Sequence, residues 1–259
     1  MRPATFRKVV EGGAAKGDVL GVARIADPDR TVSDKTQAGM VVGTPAYMSP
    51  EQIQGLALDR RSPICVLDMG CGTGSNLRAT APLLGDEQHW TLVDYDPRLL
   101  DAAVERLSAW AGQAEHKKNQ LVLNKGGKRI TVLLRRADLA NDLDRVFTAK
   151  PDLVTASALF DLGSADFISE VAAEVVRCRA VFYTVLTYNG QQRWAPKHDA
   201  DAAMASAFRA HQTRDKGFGD SAGPMAPALL SAAFDAAGYS VSEGDSAWRL
   251  EAGDVHEHE

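Results

Sequence analysis

The chain has 259 residues, of which 45% are hydrophobic and 24% charged; this is too apolar for a disordered polypeptide and long enough to bury one sizeable core with an appendage. Its formal net charge of -5 gives no general attraction to phosphate backbones, so nucleic acid is not expected as a partner. Three cysteines (Cys65, Cys71 and Cys178) show no short paired spacing, which argues against a disulfide framework or a zinc knuckle, and no apolar run reaches the ~18 residues of a membrane span, so a cytoplasmic protein without bound metal is expected.

Residues 1–62 are rich in glycine, proline and charge and carry no sustained apolar period, so they read as an irregular segment that does not fold by itself. The run Gly43-Thr44-Pro45-Ala46-Tyr47-Met48-Ser49-Pro50-Glu51-Gln52 resembles the end of the activation segment of bacterial Ser/Thr protein kinases. Leu20-Gly21-Val22-Ala23-Arg24 before it and Leu58-Asp59-Arg60-Arg61-Ser62 after it are similar to flanking stretches of that family. Val19-Leu20-Gly21 stands where the metal-binding Asp-Phe-Gly would be, with Asp18 one position out of register, and no room precedes it for a phosphate loop, a strand lysine or a catalytic loop. Kinase chemistry is therefore not expected. The resemblance implies a fused fragment, in which Ser33, Thr36 and Thr44 are the residues a regulatory phosphorylation would use.

From Pro63 the character changes. Residues 64–69 are a short apolar run suited to a buried parallel strand, and Gly70-Cys71-Gly72-Thr73-Gly74 then turns into a helix starting at Ser75-Asn76. Glycine at 70 permits a tight turn, glycine at 72 lets a ligand lie against bare backbone, and glycine at 74 lets helix and strand pack closely. A second strand over residues 89–94 ends in Asp94, twenty residues after Gly74, where a carboxylate can accept from both hydroxyls of a ribose. Asp96, directly before Pro97, suits the N-cap of a helix over residues 97–110. A dinucleotide fingerprint would need glycine where Ser75 stands, and the Gly-Lys-Ser/Thr of a Walker loop is missing.

The pattern D-x-G-x-G-x-G from Asp68 to Gly74, preceded by Val66-Leu67, is similar to the first motif of the class I S-adenosylmethionine-dependent methyltransferases. The resemblance implies an α/β, Rossmann-like fold over residues 63–252: a seven-stranded, mostly parallel sheet with a C-terminal antiparallel hairpin and helices on both faces. It also implies that S-adenosyl-L-methionine is held by Asp68, Gly70, Cys71, Gly72, Thr73, Gly74 and Asn76, with its ribose on Asp94 and its adenine bordered by Tyr95.

Residues 120–124 and 129–134 flank Lys125-Gly126-Gly127-Lys128, a hairpin signal. Ala137-Asp138-Leu139 follows; in the family an aspartate here commonly accepts from the adenine amino group, and alternatively Asp138 caps a short helix through Leu143. Residues 152–162 read as the fourth strand and its loop, which puts Ser157 and Asp161 at the carboxyl edge, where the ligands of open α/β sheets sit. Asp161 can instead cap the helix that begins near Ser164. That helix runs through Cys178, a fifth strand spans residues 180–186, and Thr187-Tyr188-Asn189-Gly190 closes it. The stretch His211-Gln212-Thr213-Arg214-Asp215-Lys216-Gly217-Phe218-Gly219 gathers proton acceptors and anion-binding donors. His211 is by residue type the best general base, followed by Asp161 and Tyr188; the plainer reading of the stretch is a helix terminator with surface charges. A helix over residues 225–237, Gly238 as its stop, a strand over 239–243 and a final strand over 248–250 complete the hairpin, and residues 253–259 form a disordered tail.

The expected reaction is methyl transfer by in-line displacement. Negative charge and the lack of an added recognition domain favour a small-molecule acceptor over a protein, and the Asn-Pro-Pro-Tyr signature of many nucleic-acid amino methyltransferases is absent at Ser157-Ala158-Leu159-Phe160. The alternative is a non-catalytic cofactor-binding or scaffold protein, because kinase-like sequence stands where helices before the first strand cover the site in this family.

Overall fold

A computed structural model of the protein describes residues 20–25, 63–118 and 120–244. Its strands are Leu20–Ile25 (β1), Ile64–Met69 (β2), Glu87–Asp94 (β3), Gln113–Lys117 (β4), Gln120–Lys125 (β5), Lys128–Arg136 (β6), Leu153–Ser157 (β7), Val181–Val185 (β8) and Tyr239–Glu243 (β9). Its α-helices are Ser75–Thr80 (α1), Pro97–Ala111 (α2), Leu143–Val146 (α3), Ala165–Cys178 (α4), Asp201–Gln212 (α5) and Ala226–Ala236 (α6).

The strands form one sheet in the order β4-β5-β6-β3-β2-β7-β8-β1-β9, and all run in one direction except β5 and β1. The part from β6 to β9 is the expected seven-stranded, mostly parallel Rossmann-like sheet; β4 and β5 extend it at one edge as a hairpin pair. The antiparallel partner of β9 is β1, which lies between β8 and β9 with Val22 opposite Tyr183 and Arg24 opposite Ser240. Part of the kinase-like segment thus belongs to the sheet, which the reading of residues 1–62 as irregular did not include. The expected strand at 248–250 and the tail at 253–259 lie outside the described residues.

Alternation along the central strands sends side chains to two separate cores. Val66, Trp90, Leu92 and Val132 pack with Leu77 of α1 and Leu100, Ala103 and Leu107 of α2. Leu67, Met69, Val93 and Val154 pack on the other face with Phe167, Val171 and Val175 of α4 and Leu230 and Phe234 of α6. Helices therefore cover both faces, as expected. α2 starts as read from the sequence, with Pro97 in its first turn and the Asp96 side chain accepting the Arg98 N–H, and it ends at Gly112. α4 is capped by Ser164, whose hydroxyl accepts the Phe167 N–H, so Asp161 is released from the capping duty that was its plainer reading. The start of β3 is fixed by a buried relay in which the Trp90 indole N–H donates to Gln88, whose amide donates to the carbonyls of Ala81 and Gly85.

Candidate functional site

β2 and β3 are parallel neighbours, with Met69 level with Val93, so the turn after β2 and the end of β3 meet at the carboxyl edge. The turn is locked there by the Cys71 N–H donating to the Val93 carbonyl (2.9 Å) and the Gly74 N–H to the Cys71 carbonyl (2.9 Å). Gly70, Gly72 and Gly74 have φ of 65°, 53° and 77°, the left-handed region that side chains other than glycine rarely adopt. Their surroundings differ as expected. A Cβ on Gly74 would lie 3.1 Å from Leu107 of α2, whereas one on Gly72 would meet nothing within 4 Å. Bare, open backbone is what a ligand needs for close approach.

Asp94 closes on this elbow. Its Oδ2 accepts the Gly72 N–H at 2.8 Å and its Oδ1 accepts the Asp96 N–H at 3.0 Å. Each carboxylate oxygen accepts more than one hydrogen bond, so capacity for two hydroxyl donors remains. Asp94 is half-buried and Tyr95 beside it is exposed, with the Arg136 guanidinium over its ring at 5.7 Å. Thr73 accepts from Arg106 at 3.3 Å, and Cys71 is buried, which pushes its thiol up.

Below the elbow lies a buried polar cluster. Asp68 is fully buried, and that burial, partly offset by the hydrogen bond from Asn76 and reinforced by the charge of Asp94, pushes its carboxyl up to about 7. Its Oδ1 accepts from the Asn76 amide at 2.8 Å, while its Oδ2 has no hydrogen-bond partner among the described residues. Asn76 also donates to Thr155 and accepts from Thr80. Both N–H donors of its amide are therefore taken up within the protein, so Asn76 braces Asp68 beneath the elbow. Thr155 on β7 was missed, because a threonine inside a strand carries no sequence signal of its own.

Asp138, like Asp94, accepts one hydrogen bond on each oxygen. Its Oδ1 accepts the Ala140 N–H and its Oδ2 the Asn141 side-chain amide, forming the turn before α3, while the helix itself begins after Asp142. Leu139 is buried in the core behind it.

The ends of β7 and β8 build the other wall. Half-buried Ser157 is the last residue of β7. Ala158 and Leu186, each just past a strand end, have φ of 55° and 59°, a conformation that costs non-glycine residues roughly 1–2 kcal/mol each and clusters at functional sites. Beyond these bends the Tyr188 main-chain N–H donates to the carboxylate of buried Asp161, and burial pushes that carboxyl up. Leu159 of the same loop lies 3.3 Å from where a Gly70 Cβ would be, so this loop abuts the elbow. Burial also pushes the Tyr188 phenol up, and its ring packs edge-on against Phe208 of α5 at 5.2 Å. His211 is exposed on the last turn of α5, three residues from Phe208 and so on the same flank; its carbonyl accepts from Lys216. Asp161 and Tyr188 are brought together, and His211 stands on the rim. Among the described residues no group of three or more His, Cys, Asp or Glu side chains could hold a metal, and no helix is long and apolar enough to cross a membrane.

Residues 66–181 match the family model described as a methyltransferase domain. The protein is also similar to the serine/threonine-protein kinase pkn2 of Myxococcus xanthus, with 34% identity over 111 residues that make up 40% of this chain and 13% of the kinase; the chain thus spans a small part of the curated relatives it matches. Among solved structures, an arsenic(III) S-adenosylmethionine methyltransferase from Chlamydomonas reinhardtii is 27% identical, covering 42% of this chain and 34% of its own, at a TM-score of 0.31. The precorrin-6y C5,15-methyltransferase of Geobacter metallireducens is 16% identical over 62% of this chain and 67% of its own, at a TM-score of 0.35. Superpositions this loose say nothing about the acceptor.

Proposed function

We propose that the protein is a class I methyltransferase that binds S-adenosylmethionine, a reading supported by the match of residues 66–181 to a methyltransferase domain, and that it transfers the cofactor's methyl group to a small-molecule acceptor at the carboxyl edge of the sheet. The observation that carries this reading is the hydrogen bond from Gly72 to Asp94, which joins open backbone and a carboxylate at one point. The residues fit the cofactor. Gly72 offers space against main chain, Asp94 retains acceptor capacity for ribose hydroxyls, and the unpartnered Oδ2 of Asp68 suits a cationic amino group. Tyr95 and the turn at Asp138 and Leu139 border the adenine side; Ser157 faces the reacting end.

When bound, the cofactor supplies a methyl group activated on a sulfonium. The protein's own task is to align a nucleophile with that methyl, exclude water and accept a proton. Asp161 and His211 are the residues at the edge that can take the proton, while the Tyr188 phenol, kept protonated by burial, can donate a hydrogen bond to the acceptor. A net charge of -5 disfavours polyanionic acceptors.

Calorimetry with S-adenosylmethionine tests the reading. The wild type binds, and Asp94→Ala weakens binding by at least ~30-fold, the equivalent of losing a charge-assisted hydrogen bond. Unchanged affinity in Asp94→Ala refutes the cofactor placement. Formation of S-adenosylhomocysteine with a metabolite panel then separates a catalyst from a protein that only binds.

A further inference from the structure

The carboxyl edge holds more unmet hydrogen-bond acceptors than cofactor binding uses. Asp161 and Thr187 are 7% and 2% exposed, and Asp161 Oδ1, Thr187 Oγ1 and Gln212 Oε1 have no hydrogen-bond partner among the described residues. Their segments meet. Tyr188, next to Thr187, gives its main-chain N–H to the Asp161 carboxylate. The Asp161 carbonyl accepts the Gly223 N–H at 3.0 Å, and a Cβ on Gly223 would lie 3.5 Å from the Gln212 carbonyl oxygen.

An unmet buried acceptor costs ~1–3 kcal/mol, and a carboxylate more, so each such group calls for an explanation. Two of these three atoms can only accept and the third can do either, so the missing partner is a donor. No cationic side chain is among the influences on Asp161, and no ion pair of Asp161 is found among the described residues. A buried carboxylate left without a cation favours a ligand that brings one.

Resting on the methyltransferase reading above, we infer that the acceptor is a small amine, whose protonated nitrogen is held by Asp161, with Thr187 taking a further N–H donor. Asp161 takes one proton from the ammonium, which leaves a neutral amine with a lone pair. The new N–C bond forms as the C–S bond of the methyl donor breaks and its electron pair goes to sulfur. The positive charge passes from sulfur to the N-methylammonium product, and the Asp161 proton returns to solvent.

The test uses the full chain saturated with S-adenosylmethionine, with phenethylamine and tyramine as probes against phenethyl alcohol and tyrosol. The amines bind by calorimetry and yield at least ~10-fold more S-adenosylhomocysteine than the alcohols. Asp161→Asn lowers amine kcat/KM by ~100-fold, the lower range for loss of a general base, with cofactor affinity within about twofold of wild type. Thr187→Val raises the amine KM about fivefold with little change in kcat, as expected for loss of one hydrogen bond, and it carries the test if Asp161→Asn melts early. Alcohols methylated as fast as amines, no amine binding to the cofactor-loaded protein, or full amine turnover in either variant overturns the inference and leaves the cofactor reading intact. Failure of the wild type to bind S-adenosylmethionine overturns both.

Discussion

Replacing Asp68 by asparagine isolates the energetic consequence of the buried cluster beneath the glycine elbow. The unfolded chain releases the Asp68 proton near 3.8, whereas the folded protein holds it until about 7. Between those values the folded state carries a proton that the unfolded state has lost. The stability associated with Asp68 is therefore present at low pH, falls as pH rises through this window and levels out above it. At ~1.4 kcal/mol per pH unit in which only the unfolded state is ionised, the wild type loses about 4 kcal/mol across the window, of which about 2–3 kcal/mol falls between pH about 5 and 8. For a domain of this size, that corresponds to roughly 5–10 °C in melting temperature. Asp68→Asn keeps a carbonyl for the Asn76 amide, but it buries an amide NH2 where Oδ2 has no partner, a penalty of ~1–3 kcal/mol that does not depend on pH. The informative quantity is therefore the difference between variant and wild type as a function of pH, not the absolute melting point. Thermal or urea unfolding of both proteins across this range should show the variant gaining on the wild type by about 2–3 kcal/mol as pH rises. A difference that stays constant refutes the claim that Asp68 is held protonated by burial.

The glycine elbow was legible because its determinants are local. The glycines at 70, 72 and 74, the strand before them and Asp94 twenty residues on form a pattern within one βαβ unit, and the structure brings them together at 2.8 Å. The cap of α2 was legible for the same reason, since Asp96 and Pro97 adjoin. What was not legible depends on partners distant in sequence or on burial. β4 is exposed along its whole length, so it has no apolar alternation to announce it. β1 pairs with strands far along the chain, and nothing in Leu20–Ile25 points to them. Asn76 was identified as a site residue, but its role as a brace follows from Thr155 and Thr80 lying beside it. Asp161 and Tyr188 were each singled out, yet their pairing depends on the two bends at Ala158 and Leu186, where no glycine gives the left-handed backbone away.

The remaining predictions address the same elements. S-adenosylmethionine affinity should tighten about tenfold between pH about 6 and 8, because only ionised Asp68, held near 7, offers charge to a cationic ligand; Asp68→Asn should abolish that dependence in calorimetry. Arg179→Gly at the left-handed end of α4 should raise unfolding free energy by about 0.5–1 kcal/mol in urea titrations, since glycine adopts that backbone without strain. Ser164→Ala should cost about 1 kcal/mol by removing the cap on the Phe167 N–H. The two elbow glycines should fail in opposite ways. Gly74→Ala adds a methyl 3.1 Å from Leu107 at φ 77°, so backbone strain and overpacking together should cost about 2–4 kcal/mol of stability. Gly72→Ala meets no neighbour at φ 53°, so it should cost only about 1–2 kcal/mol of stability while weakening cofactor binding far more than its stability loss explains, because its methyl occupies the open face of the backbone. Equal stability losses with equal cofactor affinities would mean that neither the packing duty of Gly74 nor the ligand-facing duty of Gly72 is real.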